Sequence, residues 1–287
     1  MTFSPATSSL ETRLMKSSTD KLLDLVNNSG FLFQLGVEAE AQSTYDQHGW
    51  KAVVHEYPWQ QSNGSGGFID LILWKNNIRL VIECKRVREA TWAFLALTDQ
   101  EETRFRCAWA NCVQGESPLA GWFDFRMGPS SPVAEFCIVR GQGENDRPLL
   151  ERLCGGLVQS VDSLAEEELR IAAKRPLGFT TIYIPVIVTN AELQLCVYSP
   201  KRISLVDGTI PDAVFQTVPF IRFTKSLATS LSSAPDVEDF RSALRDRERT
   251  VFIVSASSLV EFLRKLAVGS PYDTFSSYPW MTARQTG

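Results

Sequence analysis

The chain has 287 residues, a formal net charge of −4, 44% hydrophobic and 22% charged residues. That suffices for one large domain or two small ones around a sizeable core, with the balance of an ordinary globular protein. An acidic chain does not grip nucleic acid by bulk charge, so any phosphate-binding surface has to be local or supplied by a partner. No apolar run reaches membrane-span length and the N-terminus has no basic-then-apolar leader, so a cytoplasmic protein without membrane contact is expected.

Residues 1–17 are Ser/Thr-rich and are read, with a short helix capped by Thr19-Asp20, as an N-terminal region over 1–30. Leu22, Leu23, Leu25 and Val26 carry that helix until Asn27-Asn28-Ser29-Gly30 breaks it. A longer helix is predicted from Phe31 to His48, stopped by Gly49. At about 100° per residue, Phe31, Leu32, Leu35, Ala39, Ala41 and Tyr45 fall on one face, the expected core face. Glu38 lies inside that face and Glu40 nearly opposite it, so Glu38 is either an acid with a task or a sign that the register is off.

A strand follows over Trp50 to Trp59, then a polar stretch over 60–67. Gly67-Phe-Ile-Asp70-Leu-Ile-Leu and Leu80-Val-Ile-Glu83-Cys-Lys85 are two further strands of β-branched and large apolar residues. Lys75-Asn76-Asn77-Ile78 joins them, and Asn tolerates the positive φ of a tight hairpin turn. A turn centred between Asn76 and Asn77 sets Asp70 directly across from Glu83, with Lys85 on Glu83's face. Two acids and one amine then meet in otherwise apolar strands. Like charges directly opposed destabilise a sheet, and buried carboxylates are tolerated when paired or metal-bound. Either Lys85 simply pairs with one acid, or a hard divalent cation holds both.

Residues 87–148, rich in Trp and Phe with Pro and Gly breaks, are read as an insertion or subdomain. A strong helix is expected over 149–174, with Gly155-Gly156 allowing another element close to its backbone, and a buried strand over Phe179–Val188. Thr189-Asn190-Ala191 is read as a turn to a hairpin mate over Glu192–Tyr198, followed by short strands to Phe223. Thr250–Val254 is a strand and Ser255–Ala267 a last helix, with Ser258 and Glu261 in capping-box spacing, closing the second core part, 149–268. Residues 269–287 read as a tail. The six cysteines (Cys84, Cys107, Cys112, Cys137, Cys154, Cys196) have no metal-ligand spacing and are expected as reduced core residues. With only His48 and His55 present, histidine-rich metal sites and most Ser-His-Asp arrangements are disfavoured.

Helix, three strands, helix, strand, with Asp70 on the second strand and Glu83-x-Lys85 on the third, resembles the PD-(D/E)xK nuclease superfamily. The resemblance is close over Phe31 to Arg86 (a first core part of 31–86) and looser over the helix and strand near 149–188. It implies an α/β, restriction-endonuclease-like αβββαβ core with a mixed central sheet, here with a large insertion after the third strand and additional C-terminal strands and a helix. It further implies that Asp70, Glu83, the backbone carbonyl of Cys84 and Glu38 hold Mg²⁺, with Mn²⁺ able to substitute. Lys85 would steady the attacking water, Arg86 and Arg88 would contact phosphate, and Gln159 would be the polar helix residue some subgroups carry. Gly67-Phe68-Ile69-Asp70 departs from the family's Pro-Asp form. The implied activity is a metal-dependent nuclease acting on DNA, by fold analogy in bacterial defence or repair, with a protein partner or homodimer conceivable. The alternatives are a nuclease-fold binding subunit with little or no cleavage, and a hydrolase of some other phosphoester.

Overall fold

Helices α1 (Ser18–Asn28) and α2 (Phe31–Ser43) and a single further turn, α3 (Tyr45–His48), lead into the sheet. The computed structural model describes residues 18–61, 64–88, 91–112, 119–139, 148–172, 174, 179–228 and 240–271. The N-terminal tail over 1–17 and most of the tail over 269–287 lie outside them. The helix expected as one piece over 31–48 is broken at Thr44, whose hydroxyl donates to the Glu40 carbonyl and competes with the helical ladder. Gly49 ends α3 in the left-handed conformation, at φ 73°.

Strands β1 (Lys51–Gln60), β2 (Gly66–Lys75) and β3 (Ile78–Lys85) form an antiparallel meander. The next segment carries β4 (Thr91–Ala96), β5 (Glu102–Cys112), β6 (Leu119–Ser131), β7 (Val133–Ala134) and β8 (Phe136–Val139). The long helix α4 (Leu149–Ala172) leads to β9 (Phe179–Thr189), β10 (Glu192–Val197), β11 (Val214–Thr217) and β12 (Phe220–Ser226). The chain closes through α5 (Phe240–Arg247), β13 (Glu248–Ser255), α6 (Leu259–Lys265) and β14 (Ala267–Pro271).

The main sheet runs β1-β2-β3-β9-β13-β12-β7, with β5 also paired to β9, β6 to β5 and β14 to β6. β9 is parallel to both β3 and β13 and antiparallel to β5, so the architecture is α/β with a mixed sheet. A second sheet of four strands runs β11-β10-β4-β8. Within 87–148, β5 and β6 extend the main sheet, while β4 and β8 belong to the second. Nor is β10 a hairpin mate of β9. Both edges of β9 are already taken, by β3 on one side and by β5 and β13 on the other. The chain crosses instead to β4, and Asn190 pins the crossing by bonding both the N–H and the carbonyl of Val87, at 2.7 and 2.9 Å.

Two cores flank the main sheet. One packs α4, through Leu150, Leu157, Val161 and Leu164, with Trp92, Phe94 and Leu195 of the second sheet. The other packs Val37 and Ala41 of α2 and Phe262 and Leu263 of α6 against Leu71, Leu73, Leu80 and Ile82. Three local expectations fail. Gly155 and Gly156 have no neighbouring element within 4 Å of where a Cβ would stand. The capping box at Ser258 is not formed, because a 3₁₀ turn over Ala256–Ser258 runs straight into α6 and Glu261 pairs with Lys265. Most consequential, most of the expected apolar face is turned outward: Phe31, Leu32 and Leu35 of α2 and Tyr45 of α3 are exposed, and of that face only Ala41 is buried, beside Gln34 and Val37. Among the described residues no helix is long and apolar enough to cross a membrane.

Candidate active site

The hairpin turns at Asn76-Asn77, with Asn76 at φ 54°, and its pairing runs from Lys75↔Ile78 to Leu71↔Ile82. One step further the same register sets Asp70 level with Glu83, but there the ladder opens. Ile69 and Ile72, three residues apart, both face the α4-side core while Leu71 faces the other, so the strand's alternation slips at Asp70. The Cys84 N–H that the ladder leaves free donates instead to Asp70 Oδ2, at 2.6 Å. Asp70 is held from behind as well, since Gln34 Nε2 on α2 donates to its backbone carbonyl at 2.9 Å. On its other side β3 is carried by β9, which places Glu83 opposite Ile187 and Lys85 opposite Thr189.

The acids disturb each other. Burial, then the Asp70 charge, push the Glu83 carboxyl up to about 7, and Lys85 only partly opposes the shift. Burial also raises Asp70, against the Cys84 hydrogen bond and Lys85 and with help from Glu56. Lys85 thus feels both carboxylates, yet it makes no direct ion pair with either among the described residues. The simple pairing of Lys85 with one acid is not what the geometry contains.

Glu38 is half-buried on α2, with Gln42 Nε2 donating to its Oε1 at 2.9 Å and His55 Nδ1 at 3.7 Å; no contact joins it to Asp70, Glu83 or Lys85 among the described residues. Glu56 was not singled out by sequence reasoning. It lies on β1 between the pairs His55↔Leu71 and Tyr57↔Ile69, at φ 52°, a rare conformation for a residue with a side chain. Val54 and Tyr57 both face the α4-side core at a spacing of three, so the strand has an irregular step between them. Arg86 and Arg88 are spent elsewhere. Arg86 donates to the carbonyls of Asn27 and Ser29, and Arg88, itself exposed, to the Asn28 side chain, so both guanidinium groups are tied to the end of α1. Gln159 is exposed on α4.

Among the described residues no three His, Cys, Asp or Glu side chains stand close enough to form a ready-made metal cage. A hard cation that keeps most of its water needs fewer: one or two carboxylates suffice for Mg²⁺. Asp70 and Glu83 stand half-buried together, with raised proton affinity and no direct ion pair among the described residues. Neither the family models, the curated proteins nor the solved structures give a match to this chain.

Proposed function

We propose that this protein is a metal-dependent nuclease that hydrolyses phosphodiester bonds in DNA, with Asp70, Glu83 and Lys85 at its reaction centre. One observation carries the reading: the Asp70 carboxyl crosses to β3 where the ladder opens and meets Glu83, and Lys85 stands near both without cancelling either. Asp70 and Glu83, with the Cys84 carbonyl, would hold Mg²⁺ or Mn²⁺. Such an ion, when bound, supplies positive charge to a phosphoryl oxygen and acidifies a coordinated water. The chain's own residues do the rest. The Cys84 N–H fixes one Asp70 oxygen and leaves the other free. Lys85, uncommitted to an ion pair, is available to hold the attacking water and to offset charge building on the phosphate. Glu38, oriented by Gln42, would take a place in the outer shell and hold a water.

Cleavage of supercoiled plasmid and of single-stranded DNA in Mg²⁺ or Mn²⁺ tests the assignment. Asp70→Ala and Lys85→Ala should each lower the rate by about a hundredfold or more, the scale of losing one transition-state donor. Cleavage that survives both substitutions sinks it.

A second reading has its own support. With Arg86 and Arg88 occupied by α1 and a net charge of −4, the phosphate grip is sparse, as suits a nuclease-fold binding subunit. Calorimetric titration with Mn²⁺ separates the two, because a binding subunit without a metal site gives no saturable heat.

A further inference from the structure

We propose that the outer faces of α1 and α2 form the interface of a homodimer. The proposal is independent of the nuclease reading. Apart from the half-buried Asp24, the α1 residues over 19–28 are exposed, and its apolar side shows Leu22, Leu23, Leu25 and Val26 to solvent, with Leu25 69% exposed. Directly after the Ser29-Gly30 joint, Phe31 is 63% and Leu35 53% exposed, with Leu32 beside them. At those exposures Leu22, Leu23, Leu25, Val26, Phe31, Leu32 and Leu35 together present on the order of 700 Å², against the few hundred Å² of an ordinary monomer's patches and the ~800 Å² per partner of a stable interface.

What fits this surface follows from its shape and charge. Gly36 lies on the exposed side of α2 beside Leu32 and Leu35, and nothing stands within 4 Å of where its Cβ would be. Glycine inside a helix lowers stability, and a notch there lets another helix come close. Ridge and notch lie on one strip of one helix. A two-fold related copy can therefore set its Leu32–Leu35 ridge against this chain's Gly36 while offering its own notch in return, the self-complementarity that an isologous contact requires. A lipid surface fits less well. Membrane-surface helices carry cations on their polar face, whereas α1 has Asp20 and Asp24 against Lys21 alone. Gln34, the α2 residue that bonds the Asp70 carbonyl, lies on the buried side of the helix, away from Leu32 and Leu35.

The test is the mass of the full chain by sedimentation equilibrium and light scattering over about 1–100 μM, alongside thermal melts. Wild type should approach twice 32.1 kDa as concentration rises. Gly36→Leu fills the notch at a position with open space, so its monomer should melt no lower than wild type when both are dilute, while its dimer dissociation constant rises at least tenfold. Leu25→Asp with Leu35→Asp should give a folded monomer throughout. Asp70→Ala, which removes the candidate site, should dimerise like wild type. A wild-type chain that stays monomeric over the whole range overturns the proposal, and so does a Gly36→Leu variant that pairs as tightly as wild type.

Discussion

At Glu83 burial and ionisation oppose each other in a single carboxyl group. Its ordinary value of 4.5 is raised to about 7, by burial first and the Asp70 charge second. The folded protein therefore holds this proton until about pH 7, whereas the unfolded chain releases it near 4.5. Across that window the folded state binds more protons, so stability falls as pH rises; the contribution is whole below 4.5 and gone above 7. The shift corresponds to about 3 kcal/mol. Glu83→Gln, which mimics the protonated acid, should thus raise the denaturation midpoint at pH 8, leave it nearly unchanged at pH 4, and abolish cleavage. Mn²⁺ should stabilise wild type at pH 8 but not the variant. Equal differences from wild type at both pH values would show that burial of the charge is not the cause.

The joint between α2, α3 and β1 shows the opposite sign. His48 is buried, its Nδ1 accepts the Trp50 N–H at 2.9 Å, and Lys75 donates to its carbonyl at 2.8 Å. Burial leads in holding its pKa below 6.5, and Lys75 adds to this against a hydrogen bond to Ala41. Protonation would turn Nδ1 into a donor facing a donor. Stability from this group is present above pH 6.5 and is lost as pH falls through the lower folded value. His48→Asn, whose Oδ1 can accept the same N–H, should flatten the loss between pH 7 and 5. Because the Glu83 slope runs the other way, each is read as a difference between variant and wild type in urea titrations. A slope unchanged by His48→Asn would refute the assignment.

Elements also show where local sequence chemistry suffices. The Asn76-Asn77 hairpin and its register were legible because turn residues and two apolar runs specify them without reference to the rest of the chain. The same holds for Gly49 as a helix stop. The outward apolar face of α2 was not legible, since periodicity reports that a helix has an apolar side and not what covers it. Nor was the fate of β10, decided by strands far away in sequence that had already filled the edges of β9. Glu56 belongs to this class too: the β1–β2 register sets it level with Asp70, and no turn residue next to β1 announces that register.

For the molecule as a whole, β9 is the axis. Tyr183, Ile184, Val186, Ile187 and Val188 are fully buried, and successive residues serve opposite cores: Ile187 faces α4 and the second sheet, Ile184 and Val186 face α2 and α6. A central parallel strand covered on both sides reads as an uninterrupted apolar run, as this one does. Because the same backbone carries both cores, and β5 and β6 place Ala108 and Trp122 in one and Phe105 and Phe125 in the other, neither core has a boundary along which to separate. Unfolding should accordingly be a single cooperative transition. Tryptophans report on each side, Trp92 and Trp122 in the first core and Trp50 and Trp109 in the second. Single-tryptophan variants retaining only Trp92 or only Trp50 should give coincident urea transitions. Ile187→Ala and Ile184→Ala, one per core, should each cost about 3 kcal/mol and shift both reporters together. Were Ile187→Ala to move the Trp92 transition while leaving that of Trp50 in place, the segment over 87–148 would be a separable unit after all, and the shared-strand account of this fold would fail.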